Sequence, residues 1–181
     1  MEAKIFLTDY ASYNNGTQFE FGHWVDLSQF SDVEEFNAYV SKHFVDADKK
    51  SPLGDGSTRE EMMITDFEGF PRSLYSECGM NFEQLFEYIN LDNHEVMAVA
   101  FLLEQGNDFQ YAMDHKENVN MTENTGRDAH YELFEMYYPD AAKADENCHY
   151  LEVDYDRFID ENFTEFEYEG TTYLIAVDSW D

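Results

Sequence analysis

Apolar residues recur along this chain with a period of two in some stretches and about 3.6 in others, and the switches between them predict the order of elements. Residues 3–8 read as a short apolar strand, and Asn14-Asn15-Gly16 is a turn signal. Phe19 and Phe21 alternate ahead of Trp24-Val25, which predicts a second strand over residues 19–27. Val33, Phe36, Val40 and Phe44 fall at helical spacing and predict a helix over residues 32–44, with Ser31 and Glu34 as its capping box. Residues 46–58, which contain Pro52, Gly54 and Gly56, read as a loop, and residues 61–67 as a third strand.

The pattern then becomes helical. Asn81 caps a helix with Phe82, Leu85, Phe86 and Ile89 on one face and Glu83, Glu87 and Asn90 on another. Asp92 with Glu95 offers a second cap, and residues 96–103 are apolar on nearly every side, as in a buried helix. Gly106 stops that helix, Asn107 opens a short one with Phe109, Ala112 and Met113, and residues 116–126 read as a polar loop. A helix follows over residues 127–138, with Tyr131, Phe134 and Tyr138 on one face, and Pro139 ends it. Residues 150–153 read as extended and 154–162 as helical. Residues 164–168 and 171–177 flank Glu169-Gly170 as a β-hairpin. The fold class is α+β, in three segments: 1–71 with strands and a helix, 72–126 helical, and 127–181 with helices and a hairpin.

Charge changes this ordinary picture. The 181 residues carry 40 acids against 10 Lys and Arg, a formal net charge of -30. A small domain needs a net charge of only roughly 2–8 for solubility. A disordered acidic tail would be poor in aromatics, whereas this chain has 16 Phe and 13 Tyr. Residues 1–59 hold 10 acids and 5 bases, and residues 60–181 hold 30 acids and 5 bases. A basic patch for nucleic acid is excluded, and a cationic partner is implied. Cys78 and Cys148 form no C-x-x-C pair and read as free thiols of a cytoplasmic protein. No signal peptide or membrane-length apolar run is evident.

Site chemistry is sparse. Paired carboxylates could serve a metal-dependent hydrolase, but among 40 acids close pairs arise by chance. Asp46-x-Asp48 hints at a calcium loop that Lys49-Lys50 and Ser57 break. The six histidines form no H-x-x-x-H or H-E-x-x-H, and no phosphate-binding glycine motif or nucleophile elbow is present. Trp24, Phe36 and Phe86 sit at core periodicities and read as packing. No catalytic residue, metal or cofactor is assigned. The acids have suggestive spacing. Glu83 and Glu87 stand four residues apart, as do Glu104 and Asp108 across the Gly106 break. Four residues are about 6 Å along a helix axis, on the scale of successive phosphates of one DNA strand. At one charge per about 1.7 Å of duplex, 30 excess charges match about 50 Å of DNA, and a two-fold dimer about 100 Å.

Ala11-Ser12-Tyr13-Asn14-Asn15-Gly16 followed by Gly22-His23-Trp24-Val25-Asp26-Leu27 resembles the opening motif of the ArdA antirestriction family, approximately Y-N-x-G, a spacer, then G-x-W-x-D-L. Asp154-Tyr155-Asp156-Arg157-Phe158, with Phe163 and the hairpin to Tyr173, is similar to the family's D-Y-x-x-F segment and final strands. Ile159-Asp160-Glu161 stands where the family commonly has G-R-D-L. The resemblance implies an elongated protein of three small subdomains (1–71, 72–126 and 127–181) that dimerises through the last. It also implies mimicry of bent B-form DNA and occupation of the DNA groove of type I restriction-modification enzymes, protecting incoming plasmids or transposons. Direct binding of nucleic acid and catalysis are not implied. The acids expected at phosphate-like positions are Glu83, Glu87, Glu104, Asp108, Asp114, Glu117, Glu123, Asp128, Glu132 and Glu135. Readings of a different class are the metal-dependent hydrolase and an acidic interaction module or halophilic protein with an unrelated partner.

Overall fold

The computed structural model describes residues 2–77, 79–123, 126–147 and 153–177. Cys78, Cys148 and most of the extended stretch expected at 150–153 lie outside them. The chain divides into two units, Met1–Ala112 and Met113–Asp181. In order, the first holds β1 (Lys4–Asp9), α1 (Tyr10–Asn14), α2 (Gln18–Phe21), β2 (His23–Asp26), α3 (Val33–Lys50), β3 (Met62–Glu68), α4 (Phe82–Ile89) and α5 (Asn93–Glu104). Helix α6 (Phe109–His115) carries the division. The second holds β4 (Val119–Thr122), α7 (Arg127–Tyr137), α8 (Pro139–Asn147), α9 (Tyr155–Asn162), β5 (Thr164–Tyr168) and β6 (Thr171–Val177). Two small antiparallel sheets, ordered β2-β1-β3 and β4-β6-β5, give the α+β class.

In the first unit the inward residues of the sheet, Ile5, Leu7, Val25 and Ile64, are buried together with Leu27 and with Phe36, Val40 and Phe44 of α3. The helical period of that sequence is thus the core face of the helix. Phe36 also meets Phe82 and Phe86 of α4, with ring centroids 4.6 and 6.2 Å away. Asn81 accepts from the Gln84 amide, and Asp92 and Glu95 form the reciprocal capping box expected of them. Val96 and residues 98–103 of α5 are all buried.

In the second unit Leu133, Phe134, Ala142, Phe158, Ile159 and Leu174 make the core. The two strands of its hairpin join through Glu169 and Gly170 at φ +50° and +80°. Positive φ at both central residues is the two-residue turn whose twist matches antiparallel strands.

Several expectations are corrected. The strand expected from Phe19 begins only at His23, because residues 18–21 form α2, which returns over β1; Thr8 donates to the Gln18 carbonyl. The cap of α3 is Asp32, one residue past Ser31, and Glu35 rather than Glu34 reaches back to the Ser31 amide. Helix α3 continues to Lys50 through the expected loop, with Asp46 and Lys49 paired on its surface. Asn107 closes α5 by donating twice to the Leu102 carbonyl, and Asp108 caps α6 through the Tyr111 amide. Residues 119–122 of the expected polar loop are β4, whose pairing to β6 lies far off in sequence. Pro139 ends one helix and also starts α8, as its fixed φ and missing N–H allow.

Arg59 locks the first unit together. It is buried, with Nη1 2.6 Å from Asp48 Oδ1 and Nε 3.3 Å from Asp9 Oδ2. Nη1 donates to the Ser51 carbonyl and Nε to Ser12 Oγ, and the guanidinium lies 5.2 Å from the Phe21 ring centroid. Asp9 also caps α1 through the Ser12 amide at 2.7 Å. Its Oδ2 faces Arg59 with ion-pair distance but without hydrogen-bond geometry. One cation therefore joins the end of β1, the start of α1, the end of α3 and the strand-entry loop. Removing one partner of a buried pair strands the other's charge, at about 3–5 kcal/mol. Arg59→Met is expected to lose that much in urea unfolding of the first unit, with partial recovery in R59M/D9N; a loss below about 1 kcal/mol would refute the role.

A histidine pair sits beside this lock. The rings of His23 and His43 are 4.6 Å apart, and His23 Nδ1 donates to the Phe21 carbonyl at 3.0 Å. Its Nε2 then accepts from the Tyr39 hydroxyl in the neutral ring. Burial, with His23 alongside and Lys50 adding to it, holds His43 below the ordinary 6.5; Asp9 and the Phe21 carbonyl pull weakly the other way. The unfolded chain therefore takes this proton first, so the contribution is complete above the ordinary value and drains as pH falls through it. Between pH of about 7.5 and about 5.5, wild type should lose unfolding temperature relative to His43→Phe. A difference that stays constant with pH would refute it.

Candidate anionic interface

All ten acids expected at phosphate-like positions are exposed. Glu83 and Glu87 stand on the outer side of α4, opposite buried Leu85 and Phe86. Glu104 is the last residue of α5, and Asp108 lies beyond Gly106 as the cap of α6. Helical spacing therefore does not relate that second pair. Asp114 is on α6, Glu117 in the single turn after it, and Glu123 follows β4.

The clearest arrangement is on α7. Asp128, Glu132 and Glu135 occupy positions i, i+4 and i+7, one stripe about 10 Å long. The opposite face carries Ala129, Leu133 and Phe134 into the core. Like charges four apart on a helix cost a few tenths of a kcal/mol, so packing of the inner face holds this stripe in place. His130 donates through Nδ1 to Asp156 at 3.0 Å, which fastens α7 to α9.

Two further acids escaped the sequence reading. Glu165 and Glu167 on β5 are exposed on the side opposite buried Phe166. They stand about 6.8 Å apart along an edge strand, again a phosphate-like interval. Their alternation with Phe166 was the available signal, but it also describes ordinary protection of a sheet edge by charge.

Five of the ten cations are already engaged. Arg59 is internal, Lys4 is paired with Glu2, Lys49 with Asp46 and Arg157 with Glu161, and Arg72 lies over the rings of Phe67 and Tyr75. Asp46 and Asp48, the hint of a calcium loop, are thus engaged by Lys49 and Arg59. Among the described residues, no group of three or more His, Cys, Asp or Glu side chains could hold a metal. A cavity of about 350 Å³ beside α7 is lined mainly by Met121, Leu133, Met136, Phe163 and Leu174, with Glu132 as its one carboxylate. That lining offers no paired carboxylates for hydrolysis. No helix among the described residues is long and apolar enough to cross a membrane.

The family described as Antirestriction protein (ArdA) matches residues 5–174. The chain belongs to the ArdA antirestriction family. No curated protein matches it. The family's action is antirestriction, so inhibition of restriction enzymes is the function the membership carries. In this ArdA chain, Tyr13-Asn14-Asn15-Gly16 falls in the connection between β1 and β2, and Asp154 caps α9 by accepting from the Arg157 amide.

Surface charge of this density should be visible in solution. Raising NaCl from roughly 20 mM to about 300 mM screens repulsion between exposed carboxylates. The unfolding temperature should rise by a few degrees, since about 1 kcal/mol corresponds to roughly 2–4 °C in a protein of this size. An unchanged or falling temperature would show that repulsion is not a significant cost in this fold.

Proposed function

We propose that this ArdA chain inhibits type I restriction-modification enzymes by occupying their DNA-binding groove as a DNA mimic. The observation that carries the reading is the exposure of all ten candidate acids, of which Glu83 and Glu87 on α4 and Asp128, Glu132 and Glu135 on α7 stand on helices that bury other faces in the core. Such acids are fixed in space by packing, as phosphates are fixed by the duplex. Enzymes of this class hold DNA largely through cations on phosphates, so carboxylates at comparable intervals compete for the same groups. A folded mimic also avoids the cost of bending a stiff duplex.

In this reading the protein acts in the cytoplasm on behalf of a mobile element, without catalysis or a cofactor. The chain is read as three small subdomains (1–71, 72–126 and 127–181), the last of which pairs two copies into a homodimer. The acids work together: Glu83 and Glu87 on α4, Glu104 and Asp108 around the Gly106 break, Asp114, Glu117 and Glu123 after it, and the α7 stripe.

The test is competition. Purified protein should displace duplex DNA from a type I methyltransferase, with the displacement weakening as salt rises. E83Q/E87Q and D128N/E132Q/E135Q should each weaken it by a modest factor, and their combination by about the product, as for distant sites. Loss of all inhibition from one of these substitutions alone would point to an active site and sink the mimic.

A further inference from the structure

Trp24 belongs to the sequence motif that opens the chain, and its period suggested core packing; the structure places it outside. It is 42 % exposed, and Phe19 beside it is 76 % exposed. Both rings meet Phe6 edge-on, Trp24 at 5.7 Å and 84°, Phe19 at 6.0 Å and 64°. The arrangement is built. Phe6 and Trp24 are direct cross-strand partners on the outer face of the β2-β1-β3 sheet, and α2 holds Phe19 above them. Gly22 permits this closeness, because a Cβ there would lie 2.8 Å from the Phe6 ring and 2.2 Å from the Gln18 carbonyl oxygen.

The same face is acidic. Phe6 pairs on its other side with Asp66, and the adjacent row of the sheet reads Asp26, Lys4, Glu68. Lys4 is drawn to Glu2, 3.1 Å away, so three carboxylates share the face with one cation that already has a partner. Hydrogen bonds from the Ser28 hydroxyl and amide hold the Asp26 carboxyl below the usual carboxylate range. An aromatic cluster alone would suit any apolar partner, and carboxylates alone any cation. Together they fit a planar cation that stacks on a ring while its edge hydrogen-bonds to carboxylates, which is the chemistry of arginine rather than lysine.

We propose that Phe6, Phe19 and Trp24, with Asp26, Asp66 and Glu68, form a docking site for an arginine side chain on the surface of the protein partner. The site rests on the reading above insofar as the partner is a cationic, DNA-binding surface. It adds a local grip to a distributed attraction, and Trp and Arg are among the residues enriched where a few contacts dominate an interface.

The experiment uses the full chain and labelled oligo-arginine and oligo-lysine peptides of equal length, titrated by fluorescence anisotropy at one fixed salt concentration. Wild type should bind the arginine peptide more tightly. Trp24→Leu, which keeps an apolar cover over Phe6, should weaken the arginine peptide about fivefold and the lysine peptide by less than about twofold. Phe19→Leu, at a more exposed position, should act in the same direction and serves if W24L unfolds early. Equal binding of the two peptides by wild type, or an arginine preference that survives both substitutions, would overturn the site. Displacement of DNA from a type I methyltransferase is scored separately. Its failure with the arginine preference intact would remove the DNA mimic and leave the site; success without the preference would remove only the site.

Discussion

Thirty uncompensated negative charges oppose any compact arrangement of this chain, and the fold is organised around keeping the carboxylates wet. Ionised carboxylates are costly to bury without a partner, and the buried set is almost wholly aliphatic and aromatic. Among the described residues the buried acid is Asp9, and it faces Arg59. Phe36 against Phe82 and Phe86 in the first unit, and Phe134 against Phe158 in the second, supply large apolar areas from few residues. That accounts for much of the Phe content of so acidic a chain. Burial must offset both the usual entropy of folding and an added electrostatic repulsion.

The use of Arg59 follows from the same constraint. On the surface it would have offset one charge among many and contributed little, as exposed pairs do. Inside, it pairs with two carboxylates, donates to a carbonyl and a hydroxyl, and fixes four chain segments relative to one another.

Elements whose signals are local were legible in the sequence. Asp92 and Glu95 specify a helix start by satisfying each other's amides, and Glu169-Gly170 specifies a turn by backbone conformation alone. Residues 96–103 announce burial simply by being apolar. Misreadings fell where the deciding interaction lay elsewhere in the chain. Strand β4 exists because β6 pairs with it, and nothing within residues 119–122 says so. Phe19 and Phe21 alternate like a strand, yet α2 forms over Phe6, with Phe21 beneath the Arg59 guanidinium. Asp48 resembled a metal ligand until Arg59, far from it in the loop, took it. The candidate acids were legible as acids, and for Glu83, Glu87, Asp128, Glu132 and Glu135 exposure followed from helical period; Glu165 and Glu167 were hidden because edge protection predicts the same pattern.

Electrostatic attraction between a polyanion and a DNA-binding groove is long in range but poor at choosing a pose, since carboxylates at similar intervals offer many equivalent registers. DNA itself slides along such grooves for that reason. An inhibitor gains by stopping in one place. A contact that decays steeply with distance and requires a planar cation in one orientation can select a register from the many that charge permits. Trp24 and Phe19, held over Phe6, are placed to make that kind of contact. On this argument the acids govern how fast the complex forms and how salt weakens it, while the aromatic face governs how long it lasts.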